Sequence, residues 1–260
     1  MGESLEKEDI NNIIIEELVI RNGEHEIYGT LYTPRGEGKH PVVILSHGYN
    51  GTNADFVNEC IYFAENGYIA YAYDFCGGSV QSRSSGKSTD MTIFTEKGDL
   101  LAVYHRIENM ENADPRRIFL FGGSQGGLVS ALAAEQLQDG VRGLVLYFPA
   151  FNIPDDWRER YASADEIPQN IEFWGMDLGK DYFMSIRDFY TFTNIGAYSK
   201  NILIIYGADD DIVPIGHMLT AQQVYKNAQL VILPNEGHGF SSDGAKEAME
   251  LALRFMEKQQ

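Results

Sequence analysis

Hydrophobic positions fall in two rhythms along this chain. Short, almost wholly apolar runs at Val42–Leu45, Tyr68–Tyr73, Ile118–Phe121, Gly143–Phe148, Asn201–Tyr206 and Ala228–Leu233 read as strands, that at Asn201–Tyr206 of the buried type. Between them, apolar residues recur at helical spacing. Ile93, Leu100, Tyr104 and Ile107 predict a helix over Met91–Met110, with Asp90 as its N-cap. Ala248, Leu251, Ala252 and Phe255 predict a last helix over Ser242–Gln260, and further helices are expected at Ala54–Asn66 and Leu128–Leu137. Two more strands, Ile13–Ile20 and Glu26–Tyr32, flank Asn22-Gly23, a strong hairpin-turn signal. Strand and helix then alternate to the end. The pattern predicts an α/β fold: a mostly parallel eight-stranded sheet, antiparallel at its start, with helices on both faces.

Residues 151–197 break the alternation. They hold Trp157, Tyr161, Trp174, Tyr182 and Tyr190, interrupted by Pro154, Pro168 and Gly175. Residues 1–260 are expected to form one domain, with this stretch as a lid or cap insertion. Two readings of its aromatic residues stand side by side: some line a pocket for a flat apolar group, or they form the insertion's own small core.

The candidate chemistry lies at the strand ends. Gly122, Ser124 and Gly126 fill the pattern Gly-x-Ser-x-Gly directly after one strand and directly before a helix. A serine at such a turn sits in a strained backbone, and the flanking glycines relieve the crowding. Its hydroxyl stands above the sheet, beside the Gln125 amide at a helix N-terminus, which can donate to a developing oxyanion. Serine needs a base, and the base needs a carboxylate. This motif goes with the chain order Ser, Asp or Glu, His. Gly207-Ala208-Asp209-Asp210-Asp211-Ile212-Val213-Pro214 supplies three aspartates. Asp210 fits Gly-x-x-Asp-x-x-Val-Pro; Asp209 and Asp211 remain as solvated carboxylates or caps for the helix that Pro214 begins. His238, between glycines after a strand, is the candidate base. His47, in Leu45-Ser46-His47-Gly48-Tyr49, reads as a structural residue of the loop whose Tyr49 amide would be the second oxyanion donor. His25, His40, His105 and His217 read as surface or packing residues.

Composition narrows the partners. There are 20 basic and 38 acidic residues, a net charge of −18, which opposes nucleic acid and anionic membrane as partners. With no long apolar span and no signal-peptide pattern, the chain is expected to be cytoplasmic. Cys60 and Cys76 are too few for a disulfide framework and lack metal spacing; no metal or cofactor is implied. Asn50-Gly51-Thr52 matches a glycosylation acceptor, read as chance beside the oxyanion loop.

These residues together resemble the α/β-hydrolase superfamily along essentially the whole chain. The markers are His47-Gly48, Asp74 with Gly77-Gly78-Ser79, the Ser124 motif, Gly207-x-x-Asp210 and His238. Within it the chain is most similar to small bacterial cinnamoyl/feruloyl esterases, whose nucleophile is also followed by Gln. The resemblance implies a serine esterase acting through an acyl-enzyme on a small-molecule ester, with Asp156, Trp174 and Tyr182 contacting the substituents of a phenolic ring. It also implies a homodimer as a common state. Phe151 stands where small residues are expected and would reshape the aryl pocket. Thioesterase and acylaminoacyl peptidase-like activities are the alternative readings; Asp114-Pro115-Arg116-Arg117-Ile118 suits the second. A hydrolase-fold protein that only binds ligands is the non-enzymatic one.

Overall fold

A computed structural model of the chain describes residues 8–10 and 12–259. The strands, in chain order, are β1 (Glu8–Ile10), β2 (Ile13–Asn22), β3 (His25–Pro34), β4 (His40–Ser46), β5 (Ile69–Tyr73), β6 (Ala113–Gly123), β7 (Gly143–Tyr147), β8 (Asn170–Phe173), β9 (Met176–Gly179), β10 (Asn201–Gly207) and β11 (Ala228–Leu233). One sheet runs β1-β2-β3-β5-β4-β6-β7-β10-β11. From β5 to β11 it is parallel, while β1, β2 and β3 pair antiparallel. The eight expected strands are all present, and the three-residue β1 extends the antiparallel edge.

Alternate residues of each central strand feed two separate cores, as the period of two requires. Ile44, Leu120, Leu146 and Ile204 face the side covered by α2 (Ile93–Ile107) and α3 (Gln125–Leu137). Leu45, Phe121, Val145 and Ile205 face the side covered by α1 (Val57–Glu65) and the C-terminal helix, α8 (Ser242–Glu257). The strand order turns around at β4, whose neighbours are β5 and β6. That is the switch point where an open α/β sheet leaves a crevice at its carboxyl edge.

Helix limits moved in four places. α3 starts at Gln125 rather than Leu128. α2 starts at Ile93, and Thr92 rather than Asp90 is its N-cap: the Thr92 hydroxyl accepts from the Thr95 amide, and the Thr95 hydroxyl from the Thr92 amide. Asp90 ends a short 3-10 turn, Ser88–Asp90. The first helix opens as a 3-10 turn, Asn53–Phe56, before α1. α8 ends at Glu257, and Gln260 lies outside the described residues.

The insertion after β7 carries α4 (Ile153–Arg160), the β8–β9 hairpin, α5 (Lys180–Ile186) and α6 (Thr191–Asn194). Its apolar residues are continuous with the α2–α3 core: Trp157, Ile171, Leu178 and Phe183 belong to that cluster. His217, on α7 (Ile215–Val224), does find a partner there: its Nε2 lies 3.2 Å from Asp155 Oδ2, tying α4 to the main fold. Among the described residues no helix is long and apolar enough to cross a membrane.

Replacing Thr92 by Ala should cost about 1 kcal/mol in denaturant unfolding, whereas Asp90→Ala should stay within about 0.5 kcal/mol. Equal losses would return the cap to Asp90.

Candidate active site

Ser124 is the single residue between β6 and α3, with φ 51° and ψ −119°. A non-glycine residue held there stores strain on the order of 1–3 kcal/mol. The turn around it is overdetermined. Its amide donates to Tyr147 O at 3.0 Å, and its carbonyl accepts from Gly127 and Ala150, both at 2.9 Å. A Cβ on Gly122 would lie 2.2 Å from the Gly126 carbonyl oxygen, and one on Gly126 would lie 2.3 Å from the carbonyl oxygens of both Ser46 and His47. Only glycine permits this approach to the end of β4.

The Ser124 Oγ is 2.9 Å from His238 Nε2, and His238 Nδ1 is 2.9 Å from Asp210 Oδ2. Asp210 Oδ1 accepts the amides of Ile212 and Val213, so its side chain, wholly out of solvent, faces donors only. A carboxylate only accepts; Nδ1 therefore carries the ring proton, and Nε2 is left to accept from Ser124. Burial alone would raise the Asp210 carboxyl, but the His238 and backbone hydrogen bonds outweigh it and hold it below the ordinary aspartate value. Asp209 and Asp211 are exposed, and the amide of Asp209 donates to Glu236 O at 2.8 Å. That bond joins the loop after β10 to the loop after β11 and sets the Asp210–His238 spacing. No described side chain caps α7, so neither flanking aspartate serves there.

The loop after β4 closes over the serine. A Cβ on Gly48 would come within 3.2 Å of Ser124 Cβ. His47 is fully buried, as its structural reading required: the Phe75 amide donates to Nε2, and Nδ1 lies 2.7 Å from Gly48 O. Burial pushes its pKa down, so the ring is neutral and shapes the loop. Among the described residues the amides of Tyr49 and Gln125 have no hydrogen-bond partner. The Gly77–Lys87 loop is ordered against this rim. Asp74 accepts from Asn53 and from the Arg83 amide, and Asn50 accepts from the Val80 amide.

Two cavities meet at Ser124. One, of about 260 Å³, runs under the insertion and is lined by Asp156, Trp157, Phe173, Trp174 and Tyr182. The other, of about 430 Å³, lies on the His238 side. Ser124, Tyr49 and Trp174 border both. The three sequence-predicted insertion residues thus come together, in different states. Tyr182 is buried; Trp174 is 59% exposed at the tip of the β8–β9 hairpin. Asp156 accepts from Asn152 at 2.6 Å, and burial raises its carboxyl above the ordinary value. Of the two readings of the aromatic insertion, a separate small core is not what forms: Trp157 and Tyr182 belong to the main α2–α3 core and also line the cavity wall. Phe151 does not reshape the pocket. It is fully buried against Phe192, and its neighbours Ala150 and Asn152 take the wall instead.

Beneath Gln125 lies a support that no motif in the sequence marks. The Gln125 side-chain amide donates to Glu96 Oε2 at 2.8 Å, and its carbonyl accepts from the Tyr182 hydroxyl at 2.9 Å. Burial pushes the Glu96 carboxyl up to about 8. An available signal was its place on the α2 stripe, three residues after Ile93 and four before Leu100.

Fold and site define an α/β-hydrolase of the esterase-like type. The chain belongs to the prolyl oligopeptidase family, whose profile matches residues 54–260. An uncharacterized 31.7 kDa protein of Escherichia coli is 32% identical over 113 residues, 41% of this chain and 37% of that protein. The acylamino-acid-releasing enzyme of Arabidopsis thaliana is 24% identical over 235 residues, 84% of this chain and 30% of that enzyme. The chain therefore spans about a third of the length of the curated relatives it matches. Among solved structures, Est1E from Butyrivibrio proteoclasticus with ferulic acid bound superposes with a TM-score of 0.85 at 25% identity, covering 93% of this chain and 98% of that one. Acetyl xylan esterase 1 from Thermoanaerobacterium sp. gives 0.73 at 19% identity, covering 100% and 89%, a likeness of fold.

Gly126→Ala should cost about 1–3 kcal/mol or more, read as a lower denaturation midpoint, because a Cβ there meets backbone that has nowhere to move. An unchanged midpoint would show that the turn yields freely. Glu96 keeps its proton to about pH 8 when folded but only to its ordinary value of 4.5 when unfolded. The folded state binds the extra proton across that window, so Glu96 lowers stability progressively as pH rises through it. The melting temperature of Glu96→Gln relative to the parent should accordingly rise between about pH 5 and about pH 9. A pH-independent difference would mean that Glu96 is ionised throughout.

Proposed function

We propose that this chain is a serine carboxylic-ester hydrolase that takes small aromatic acyl groups of the hydroxycinnamoyl type. The observation that carries the reading is the relay of two 2.9 Å contacts, Ser124 Oγ to His238 Nε2 and His238 Nδ1 to Asp210 Oδ2, at the mouth of an aromatic cavity.

In this reading Ser124 attacks the ester carbonyl and His238 takes its proton. Asp210 holds the ring and stabilises the imidazolium. The unpartnered amides of Tyr49 and Gln125 receive the oxyanion. His238 then returns the proton to the leaving alcohol, and an acyl-enzyme remains. Water, activated by the same imidazole, attacks that ester, and Ser124 leaves as its hydroxyl.

The cavity of about 260 Å³ suits an acyl group of one ring and a short tail rather than a long chain. Trp157, Phe173 and Tyr182 would sandwich the ring. Asp156 would accept from a ring hydroxyl. Tyr182 has already given its proton to Gln125, so toward substrate it accepts as well. Est1E, similar over nearly its whole length, was solved with ferulic acid bound, which supports the same acyl class here. A second reading, release of acylamino acids, draws on the likeness to the Arabidopsis thaliana enzyme.

Methyl ferulate, a short p-nitrophenyl ester, an acyl-CoA and an N-acetylated amino-acid anilide should be compared, with Ser124→Ala as the blank. Methyl ferulate should be fastest, and Ser124→Ala should lose about three orders of magnitude or more. Preference for the anilide or the thioester would overturn the ester assignment; full activity in Ser124→Ala would overturn the mechanism. Asp156→Ala should raise KM about tenfold or more for ferulate but leave cinnamate, which lacks ring hydroxyls, nearly unchanged.

A further inference from the structure

The second cavity, about 430 Å³, has a chemistry of its own. His238 lines this cavity and not the other, and His238 must hand a proton to the leaving oxygen. On the ester-hydrolase reading proposed above, this is therefore the chamber for the alcohol half. Its walls are the aromatic rings of Phe56, Tyr147, Phe148 and Phe240, with two carboxylates, Asp55 and Glu59; among the described residues its lining holds no Lys or Arg. Glu59, in the first turn of α1, is only 7% exposed. Among the described residues nothing but its own backbone amide meets its carboxyl, and burial, helped by the charge of Asp55, pushes its pKa up to about 7. The Tyr147 hydroxyl, on a residue 2% exposed, also has no hydrogen-bond partner.

A buried carboxyl met only by its own backbone amide, an orphan hydroxyl and a ring of aromatic faces share one missing complement. A positively charged nitrogen answers them: it pairs with the carboxylate, lies on negative ring faces, and is attracted by the negative end of the hydroxyl dipole. The net charge of −18 also concentrates cations near the surface. We infer that this chamber selects esters whose alcohol half carries a cationic nitrogen, with Glu59 as its counter-charge.

The test uses three ferulate esters differing only in alcohol: choline, its neutral carbon isostere 3,3-dimethylbutanol, and glycerol. In the wild-type protein kcat/KM should favour the choline ester over the isostere by about tenfold or more. In Glu59→Gln that ratio should fall toward one. Choline should also inhibit the wild-type protein more strongly than 3,3-dimethylbutanol does, a readout that does not depend on how the variant folds. A wild-type ratio at or below one, a ratio unchanged in Glu59→Gln, or a glyceryl ester faster than the choline ester would overturn the inference. Loss of turnover on all three esters would overturn the hydrolase reading on which it rests.

Discussion

The contact on which the rest of the site depends is the close approach of the Gly126 backbone to the carbonyl oxygens of Ser46 and His47. It seats the start of α3 on the end of β4. That contact lifts Ser124 clear of the sheet and forces its left-handed backbone. It also fixes the distance from Ser124 to the Gly48–Tyr49 peptide. The strain is offset locally, since both the amide and the carbonyl of Ser124 are hydrogen-bonded to neighbouring strands and turns. A turn held this way needs no rearrangement to present its hydroxyl.

Two buried acids near the site are treated in opposite ways. Asp210 is met by three donors, the Ile212 and Val213 amides and the His238 ring, and stays ionised despite burial. Glu96 is met by one donor, the Gln125 amide, and its second oxygen has no partner among the described residues, so burial wins and it is neutral near pH 7. The charged acid faces the imidazole and the neutral one supports the Gln125–Tyr182 pair. Environment, not residue type, divides the roles.

The central strands were legible because each is buried on both faces and so reads as an unbroken apolar run, as in Asn201–Tyr206. Ser124 was legible because its glycines are dictated by contacts within one turn. The choice among Asp209, Asp210 and Asp211 was legible only as an offset; the physical distinction is the pair of amides that Ile212 and Val213 aim at Asp210 alone. Thr92 was passed over for Asp90 because either residue type can cap, and only the reciprocal bond with Thr95 separates them. The pairing of Glu96 with the Gln125 side chain was not legible. A polar residue on an apolar stripe says that a partner exists, not that it lies 29 residues away on another helix. Phe151 was misjudged because direction at a strand end follows from the turn after it, which sequence does not specify.

The β8–β9 hairpin is fastened to the loop after β4 by bonds that ignore its side chains. The Tyr49 hydroxyl donates to Phe173 O at 2.7 Å, and the Asn50 side-chain amide to Trp174 O at 3.3 Å. Trp174 and Gly175 both have positive φ, the geometry of a tight two-residue turn. The anchors are main-chain carbonyls, which every amino acid possesses. At position 174, bordering both cavities, the side chain adds one edge-to-face ring contact with Tyr49, while the hydrogen bond that holds the segment is made by the main chain. The residue there can change over evolutionary time, with those most at ease in a left-handed turn favoured, and the wall between the two cavities can be recut without unfastening the hairpin.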